Sequence, residues 1–552
     1  MSKGKPVHHF IVMLRPYKKN IAILFLLMIS VTGLNILVPL LQQIIVDDGI
    51  MKNDLATVGR LLIGLMVVYL LISIIEIAQN YVQTYISLNV SKDLEVSVFN
   101  HALRLKVECI KEKGLYKIIK DVDNYVQSVA DLTGGQTVQV FIELFKFVGI
   151  FIALFLLSWK VTIYLLLLIP LRLIITHFTS KQVRKNSEES FAIQKYIHQW
   201  EDDVYNVFTE IKLWNLIGTK TNEYQKLIKK RNKKVILHYL LSGIDTTLGS
   251  GLQQLVISSL YLLCGFFIVS DEMTIGILFT FITYSYYILQ PISLISYLKI
   301  IISKIAPEYA EYQRFISLEE EEDKNIENTV QFPSPIENLK ITFNNVSFKY
   351  NDKMVLRNVN FEVNSGDVVV IKGENGSGKS TIIDLLLRFY YPCDGDIRIN
   401  DININKINLE SYRENLSVVS QFSNLFTGTI EDNLSMFGKY SYSEHLVDNN
   451  LFDFFGNLEK GIKNKIGSKS SLLSGGEKQK VSLLRSLAKR SRILILDEPT
   501  SNFDKKSEEL FKDLIKSIDC DIVILVTHSE DISEIANKTI YLNNGEIICS
   551  VK

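Results

Sequence analysis

The distribution of apolar residues divides the 552-residue chain into two parts. Long apolar runs are confined to roughly the first 300 residues, whereas the remainder alternates short apolar and polar segments. A bilayer core of about 30 Å requires about 20 apolar residues per helix. Segments that satisfy this requirement predict six membrane-spanning helices, at about 21–45, 57–80, 136–158, 161–180, 240–269 and 273–301.

Basic residues indicate which side of the membrane the connections occupy. The two long connections, 82–135 and 181–236, are rich in Lys and Arg, as is the segment before the first span, whereas the short loops are acidic or nearly neutral. Both termini are therefore predicted to be cytoplasmic. The long connections predict helical extensions with transverse tips near 108–117 and 202–212, although solvated charged helices without a partner have the same composition.

The segments outside the spans complete the predicted organisation. Residues 8–19 alternate apolar and basic positions without the long apolar stretch of a signal peptide, which predicts a helix on the membrane surface. The acidic run 319–323, followed by prolines, predicts a solvated linker. The predicted parts are an N-terminal surface helix at 1–19, a helical membrane domain at 20–305, a linker at 306–338 and a soluble domain at 339–552.

Charge and cysteine spacing exclude some classes of protein. The chain has 60 basic and 60 acidic residues, so no bulk electrostatic attraction to nucleic acid is expected. The five cysteines lie far apart in the sequence, which argues against a zinc site or a disulfide framework.

A phosphate-binding loop lies in the soluble part of the chain. The segment 373–380 is Gly-Glu-Asn-Gly-Ser-Gly-Lys-Ser, between the apolar strand-like run 368–371 and the helical run 382–387. A glycine-rich turn of this kind presents backbone N–H groups at the positive end of a helix, where they bind nucleotide phosphates. Lys379 is then expected to reach the β- and γ-phosphates and the Ser380 hydroxyl to bind Mg²⁺.

Two further apolar runs end in residues suited to hydrolysis. The first ends in Asp497 and Glu498, which can hold the Mg²⁺ shell and activate the attacking water. Acid pairs at strand ends are common, so this pair alone is only a moderate indication. The second run, 522–526, leads to Thr527 and His528 at a strand end, where open α/β sheets place their ligand sites.

Ser474, Gly475, Gly476 and Glu477 precede a helical run. The segment predicts a second anion-binding helix N-terminus, although an ordinary capped helix start has the same residues.

These motifs, in this order, resemble those of an ATP-binding cassette (ABC) exporter half-transporter, and the resemblance covers essentially the whole chain. It implies a multi-domain membrane protein with an all-α six-helix transmembrane domain and an α/β P-loop ATPase domain. The implied cofactors are ATP and Mg²⁺. The implied nucleotide contacts are Tyr350, which stacks on adenine, and Gly373, Asn375, Gly376, Ser377, Gly378, Lys379, Ser380, Thr381, Ser474, Gly475, Gly476 and Asp504. The implied catalytic residues are Glu498 as base, His528 and Gln421, and the implied metal ligands are Ser380, Gln421 and Asp497.

The resemblance also implies a dimer. Two nucleotide domains close head to tail, so Ser474 and Gly476 of one chain contact the γ-phosphate held by Lys379 of the other. ATP binding closes the pair and switches the membrane cavity from inward- to outward-facing, and hydrolysis resets it. Glu498 and His528 are both present, which favours a homodimer over pairing with a homologous half-transporter.

One segment departs from the family pattern. Residues 466–470 are Ile-Gly-Ser-Lys-Ser, where exporters of this type commonly carry a glutamate that meets the cytoplasmic helices. The usual detail of coupling is therefore not carried over to this chain.

Polar residues inside the spans leave the substrate open. The charged residues are expected either to contact substrate or gate the cavity, or to form structural ion pairs. They are Glu143, Lys146, Arg172 and Asp245. The tyrosines of the last span, Tyr284, Tyr286 and Tyr287, suit a cavity wall and ordinary helix packing equally.

The expected function is ATP-driven export of a peptide, a lipid or an amphipathic drug-like compound across the plasma membrane. Two alternatives stay open at this point: an importer with the exporter fold, and an ATP-gated or regulatory membrane protein that accumulates no substrate.

Overall fold

The computed structural model describes residues 12–113, 115–133, 135–321, 330–333, 338–421, 423–442, 449–467 and 473–551. The chain divides into two compact units. The helical unit comprises Met1–Leu103 and Gly114–Leu318, and the sheet unit comprises Arg104–Lys113 and Glu319–Lys552. Most of the predicted surface helix at 1–19 lies outside the described residues.

Long helices form the helical unit and cover nearly all residues of the six predicted spans. In chain order, with one short helix that belongs to the sheet unit, the helices are α1 (Lys18–Ile44), α2 (Leu55–Arg104), α3 (Val107–Lys113, sheet unit), α4 (Leu115–Thr133), α5 (Gly135–Leu157), α6 (Trp159–Asn206), α7 (Phe208–Leu213), α8 (Ile217–Val269) and α9 (Ile275–Ile316). Over the described residues, four helical stretches are long and apolar enough to cross a bilayer: Val12–Ile50, Leu55–Arg104, Trp159–Asn206 and Ile217–Val269.

The last helix is fixed against the first by hydrogen bonds inside an apolar core. Phe281 and Tyr284 of α9 are fully buried. The Tyr284 hydroxyl donates to the carbonyl of Ile36 (2.6 Å), and the Thr280 hydroxyl donates to the carbonyl of Pro39 (3.2 Å). A buried hydroxyl needs such a partner, since an unpaired one costs about 1–3 kcal/mol. These contacts support a packing role for Tyr284.

Both long connections extend their helices as the sequence predicts. Helices α6 and α8 run beside each other beyond the apolar stretch, where the Asn186 amide donates to the carbonyl of Lys234 (2.8 Å). Short helices occupy the tips: α3 in the first connection and α7 in the second. Helix α9 continues to Ile316, so the first part of the range predicted as linker is helical.

The sheet unit is built around a mostly parallel sheet. Its strands are β1 (Lys340–Tyr350), β2 (Lys353–Asn364), β3 (Val368–Gly373), β4 (Asp394–Ile399), β5 (Ile402–Asn403), β6 (Leu416–Val419), β7 (Gly428–Thr429), β8 (Lys465–Ile466), β9 (Ile493–Asp497), β10 (Ile522–Val526), β11 (Lys538–Asn543) and β12 (Glu546–Val551). Its later helices are α10 (Lys379–Leu386), α11 (Leu409–Glu414), α12 (Ile430–Ser435), α13 (Gly475–Ala488), α14 (Lys505–Ser517) and α15 (Glu530–Ser533).

The strand order brings the carboxyl ends of three strands together. The six-stranded sheet has the order β12-β11-β3-β10-β9-β6, and β3, β10 and β9 are parallel neighbours. All three are apolar along their length because both faces of the sheet are covered. Since parallel strands end at the same edge, the residues that follow β3, β9 and β10 meet there. A second, antiparallel sheet has the order β2-β1-β4-β5.

The acidic run after α9 was predicted to be a solvated linker; Glu319 in it is exposed, whereas Glu321 is bound. The Glu321 carboxylate pairs with the Arg413 guanidinium at 2.6 and 3.0 Å. The backbone N–H of Glu321 donates to the carbonyl of Arg104 (2.8 Å). The composition of the run could not indicate this contact, because its partners lie elsewhere in the sequence.

Candidate nucleotide site

The phosphate-binding loop joins β3 to α10, and its glycines are required by its geometry. Gly378, at the start of α10, has φ +107°, a conformation that side chains rarely adopt. A Cβ on Gly373 would lie 2.1 Å from the carbonyl oxygen of Leu542. The glycine spacing therefore lets the loop bend tightly and leaves the N–H groups at the start of α10 facing the strand edge.

Lys379 is held over the loop. Its ammonium donates to the carbonyls of Gly373 (2.8 Å) and Glu374 (2.9 Å). Burial lowers the pKa of Lys379, and the nearby carboxylates of Asp497 and Glu498 partly offset that effect. The side chain thus places a cation between the loop and the acidic end of β9.

The acid pair at the end of β9 lies in an environment that disfavours charge. Burial raises the pKa of Asp497 to about 6, with smaller contributions from Glu498 and Asp384, while Lys379 acts in the opposite direction. Burial also raises the pKa of Glu498, against the effect of His528 and Lys379. Perturbed carboxyl groups in a cleft are typical of functional sites.

Glu498 has a strained backbone. Its φ is +49°, which is uncommon for a residue other than glycine, and its N–H donates to the carbonyl of Val526 (2.8 Å). The side-chain Oε1 lies 3.7 Å from His528 Nε2 and forms no hydrogen bond within the described part of the chain. Strain of this kind persists where the surroundings enforce it, often at functional sites.

Most predicted site residues line one cleft of about 260 Å³. These residues are Asn375, Gly376, Gly378, Lys379, Ser380, Thr381, Gln421, Asp497, Glu498 and His528, and they are joined by Val355 and Val526. The predicted residues that do not line it are Tyr350, Gly373, Ser377, Ser474, Gly475, Gly476 and Asp504.

Tyr350 lies beside the loop helix rather than in the cleft wall. Its ring packs edge-on against Tyr390 (5.0 Å between centroids) and Phe348 (4.7 Å). Its hydroxyl donates to the carboxylate of Asp384 in α10 (3.4 Å). Burial raises the pKa of Tyr350, which stays a neutral phenol at neutral pH.

The Ser474–Glu477 segment forms a capped helix start. Ser474 Oγ accepts the N–H of Glu477 (3.3 Å), and the Glu477 carboxylate accepts the N–H of Ser474 (2.6 Å). This reciprocal capping box satisfies two N–H groups of α13. A Cβ on Gly476 would lie 2.6 Å from the carbonyl oxygen of Asn502, so that close approach requires glycine.

Asp504 caps a helix as well. Its carboxylate accepts the N–H of Ser507 (3.1 Å) at the start of α14, and the hydrogen bonds to Ser507 lower the pKa of Asp504. Within its own chain, the side chain is therefore used for helix capping.

The sequence analysis missed Gln479, which connects three parts of the site. Its amide N–H donates to the carbonyl of Glu498 (2.7 Å), and its amide oxygen accepts the N–H of Asn502 (3.4 Å). Gln479 is 1% exposed. Its position four residues before the buried Leu483 places a polar side chain on the apolar face of α13, and that spacing was the available signal.

The segment 466–470, which departs from the family pattern, is only partly described. Ile466 is buried in β8, whereas 468–472 lie outside the described residues.

The side chains at the cleft fit a magnesium triphosphate. In the cleft, the buried Glu498 Oε1 forms no hydrogen bond within the described part of the chain, and in the phosphate-binding loop the same holds for Ser377 Oγ. The described residues contain no group of three or more His, Cys, Asp or Glu that could hold a metal ion. Mg²⁺ binds through one or two protein groups together with substrate phosphates and water, and Ser380 and Asp497 of the cleft are groups of that kind.

A P-loop cleft with a strand-end acid pair, in one chain with membrane-spanning helices, defines a membrane-bound ATPase. Two family profiles match this chain: "ABC transporter transmembrane region" over residues 21–292 and "ABC transporter" over residues 356–501. The chain belongs to the ABC transporter family and is an ATPase coupled to transmembrane transport.

Relatives and a solved structure agree with this assignment. The chain is 26% identical to the ATP-dependent lipid A-core flippase of Coxiella burnetii, over 91% of this chain and 86% of that protein. It is 25% identical to the protein of the same name from Escherichia coli K12, over 93% and 88%. A bacterial Atm1-family ABC exporter with ATP bound has the same fold, with a TM-score of 0.81, 20% identity and coverage of 96% and 95%.

Proposed function

We propose that this ABC transporter exports an amphipathic compound, such as a lipid or a hydrophobic peptide, by alternating access as a homodimer. The observation that carries the dimer is the composition of the cleft. It contains the loop, the acid pair and His528, but neither Ser474 nor Gly476. A second copy that presents its own Ser474 segment would complete the hydrolytic site.

In the proposed mechanism the buried acid pair divides two tasks. Asp497, Ser380 and Gln421 would hold Mg²⁺, which when bound would neutralise phosphate charge. Glu498 accepts a proton from the attacking water, since burial raises its pKa toward the working pH. His528, 3.7 Å from Glu498, orients that carboxylate and contacts the γ-phosphate.

An exposed apolar tip supports association with a second copy. Around α7, Leu213 is 77% exposed and Trp214 is 75% exposed. Neighbouring apolar side chains, Phe208 and Ile217, are also exposed. Exposed apolar clusters of this kind mark protein or membrane contacts. The basic connection that carries this tip favours the cytoplasmic side, where a partner's soluble domain would lie.

Gly475→Asp tests the contribution of a second chain. A Cβ at Gly475 lies 3.7 Å from Asn502, an ordinary contact, and an acidic side chain in the first turn suits a helix N-terminus. We therefore expect the variant to fold and to bind ATP in its own cleft. Hydrolysis should fall about tenfold because the new carboxylate meets the partner's phosphates. ATPase assays and equilibrium binding would measure both. Gly475→Ala is the control, and wild-type hydrolysis by Gly475→Asp would contradict the proposed dimer site.

Tyr350→Ala tests the proposed adenine contact. Stacking of a base on an aromatic ring contributes about 1–3 kcal/mol, so ATP affinity should fall about tenfold. The maximal rate should change less, because stacking aids the ground and transition states alike. Steady-state kinetics would separate KM from kcat. Tyr350→Phe keeps the ring and removes only the hydroxyl, so it should retain more of the ATP affinity than Tyr350→Ala. Unchanged affinity in Tyr350→Ala would remove this residue from the site.

The charged residues of the spans form ion pairs. Arg172 and Asp245 join α6 to α8 at 3.1 Å, and the Thr179 hydroxyl donates to Asp245 (2.7 Å). Their partners and burial favour a structural role, one of the two alternatives left open by the sequence. Glu143 and Lys146 pair on α5 at 3.2 Å.

The Glu143–Lys146 pair is the candidate substrate contact that we propose. The Lys146 ammonium lies 5.6 Å from the ring centre of Tyr287 on α9. A paired cation beside an aromatic ring inside an apolar unit could bind the polar head of an amphipathic compound. The lipid named in the flippase relatives belongs to this chemical class.

The charge of the connections indicates the orientation of the protein in the membrane. We place the protein in the plasma membrane with both termini and the ATPase domain in the cytoplasm, as the basic connections indicate.

Uptake into inside-out vesicles from cells that express this chain alone tests the function. The vesicles receive a pooled extract of host lipids and peptides, mass spectrometry identifies what accumulates, and Glu498→Gln vesicles serve as blank. ATP-dependent accumulation of one amphipathic class is expected. ATP-driven loss of preloaded compound would indicate import. ATP-dependent conductance without accumulation would indicate gating, and absence of hydrolysis would indicate a missing partner chain.

A further inference from the structure

A short segment from the first long connection is part of the sheet unit. Residues 104–113, which include α3, group with the ATPase residues rather than with the helical unit. Leu105 forms an antiparallel bridge with Glu320, and the N–H of Lys106 donates to the carbonyl of Glu319 (3.1 Å). The segment is therefore held by backbone hydrogen bonds at its start.

The far end of α3 is attached to the helix of the phosphate-binding loop. The Lys111 ammonium donates to both carboxylate oxygens of Asp384, at 2.8 and 3.0 Å. The same ammonium lies 5.4 Å from the ring centre of Tyr390. The Asp384 side chain is only 17% exposed, whereas that of Lys111 is 48% exposed, so the ion pair forms at the edge of the protein interior.

Asp384 contacts Tyr350 on its other side. The Tyr350 hydroxyl donates to Asp384 Oδ2 (3.4 Å), and the Tyr350 ring packs edge-on against Tyr390 (5.0 Å). Asp384 thus binds Lys111 and Tyr350 with one carboxylate, and Tyr390 contacts both of those partners. Asp384 and Tyr390 therefore connect the ammonium of Lys111 with the Tyr350 side chain.

We propose that Lys111 and Asp384 are positioning residues for the adenine ring: their ion pair orients Tyr350, so ATP affinity depends on the docking of α3 on the sheet unit. This inference rests on the proposed role of Tyr350 as the stacking residue. By thermodynamic linkage, bound ATP strengthens the docking of α3 by the same factor by which α3 strengthens ATP binding.

The test compares a ligand that has a base with one that has none. Full-length protein in nanodiscs is titrated with adenylyl imidodiphosphate and with tripolyphosphate, each with Mg²⁺. Lys111→Ala and Asp384→Asn should each weaken binding of the nucleotide analogue about three- to tenfold and leave tripolyphosphate binding within about twofold. The double variant should be no weaker than either single variant, because both remove one interaction. Lys111→Arg, which keeps the charge, should restore most of the affinity.

The matched control is Lys106→Ala. Lys106 lies in the same segment, where its ammonium pairs with the exposed Glu319 and lies 5.5 Å from the ring centre of Tyr391; such an exposed pair contributes only about 0–1 kcal/mol. Lys106→Ala should leave the binding of both ligands unaffected. Equal losses for the two ligands in Lys111→Ala would indicate general damage and overturn the inference, as would no loss at all. Tyr350→Ala separates the two hypotheses. If Tyr350→Ala weakens binding of the nucleotide analogue more than binding of tripolyphosphate, and Lys111→Ala shows no such difference, only the inference about Lys111 and Asp384 fails. If Tyr350→Ala also shows no difference between the two ligands, the proposed stacking role of Tyr350 is wrong.

Discussion

Replacing Glu498 by Gln is expected to lower ATP hydrolysis by about 10²–10⁴-fold, the usual contribution of a general base. The amide keeps the shape of the side chain but cannot accept the water proton. ATP binding should persist, because Glu498 lies beyond the loop that would hold the phosphates. Steady-state hydrolysis and equilibrium binding of ATP would measure the two effects on the same purified protein.

A control from the protein surface accompanies this variant. Glu414 forms an exposed pair with Lys439 at 3.6 Å, and such pairs contribute about 0–1 kcal/mol. Glu414→Gln should therefore hydrolyse ATP at the wild-type rate. Wild-type turnover in Glu498→Gln would assign the base to another residue, and loss of binding would show that the carboxylate holds the nucleotide.

Lys379→Ala is expected to reduce kcat/KM for ATP by about 100-fold or more. Hydrogen bonds to charged groups contribute about 1.5–3 kcal/mol each, and the ammonium is proposed to contact two phosphates. Two such bonds together contribute about 3 kcal/mol or more. Because 1.4 kcal/mol corresponds to a tenfold change, this is a factor of about 100 or more. Unlike Glu498→Gln, this variant should lose ATP binding itself, which isothermal titration would measure.

Lys439→Ala, from the other side of the same surface pair, is the matched control. Thermal unfolding of both variants would show that the fold is retained. The free energies of unfolding of the two variants should differ by no more than the contribution of the two hydrogen bonds that the Lys379 ammonium donates to backbone carbonyls. If ATP affinity survives in Lys379→Ala, the phosphates bind elsewhere and the assignment of the cleft is wrong.

The long helices of the helical unit were predictable because they depend on local composition. Each predicted span falls largely within a long helix, since about 20 successive apolar residues leave a helix as the structure that satisfies the backbone in lipid. The contact of Glu321 within the acidic run was not predictable, for the opposite reason. Glu321 is bound because Arg413, 92 positions away, is brought beside it by the fold.

The cleft was predictable for the same local reason. Glycine spacing and apolar strands that end in Asp497 and His528 can be recognised in short windows of sequence. Gln479 escaped because its function depends on which backbone groups surround it: a glutamine in a helix predicts nothing until the carbonyl of Glu498 is placed 2.7 Å from it.

The sequence by itself therefore determined the spans, the order of the motifs and the identity of the residues in the phosphate-binding loop, because each follows from neighbours within one or two turns of chain. Only the tertiary structure decided that Gln479 donates to the carbonyl of Glu498 and that Lys111 pairs with Asp384. The latter two residues are 273 positions apart. Such contacts depend on how strands and helices pack, and packing is a property of the whole unit rather than of any segment.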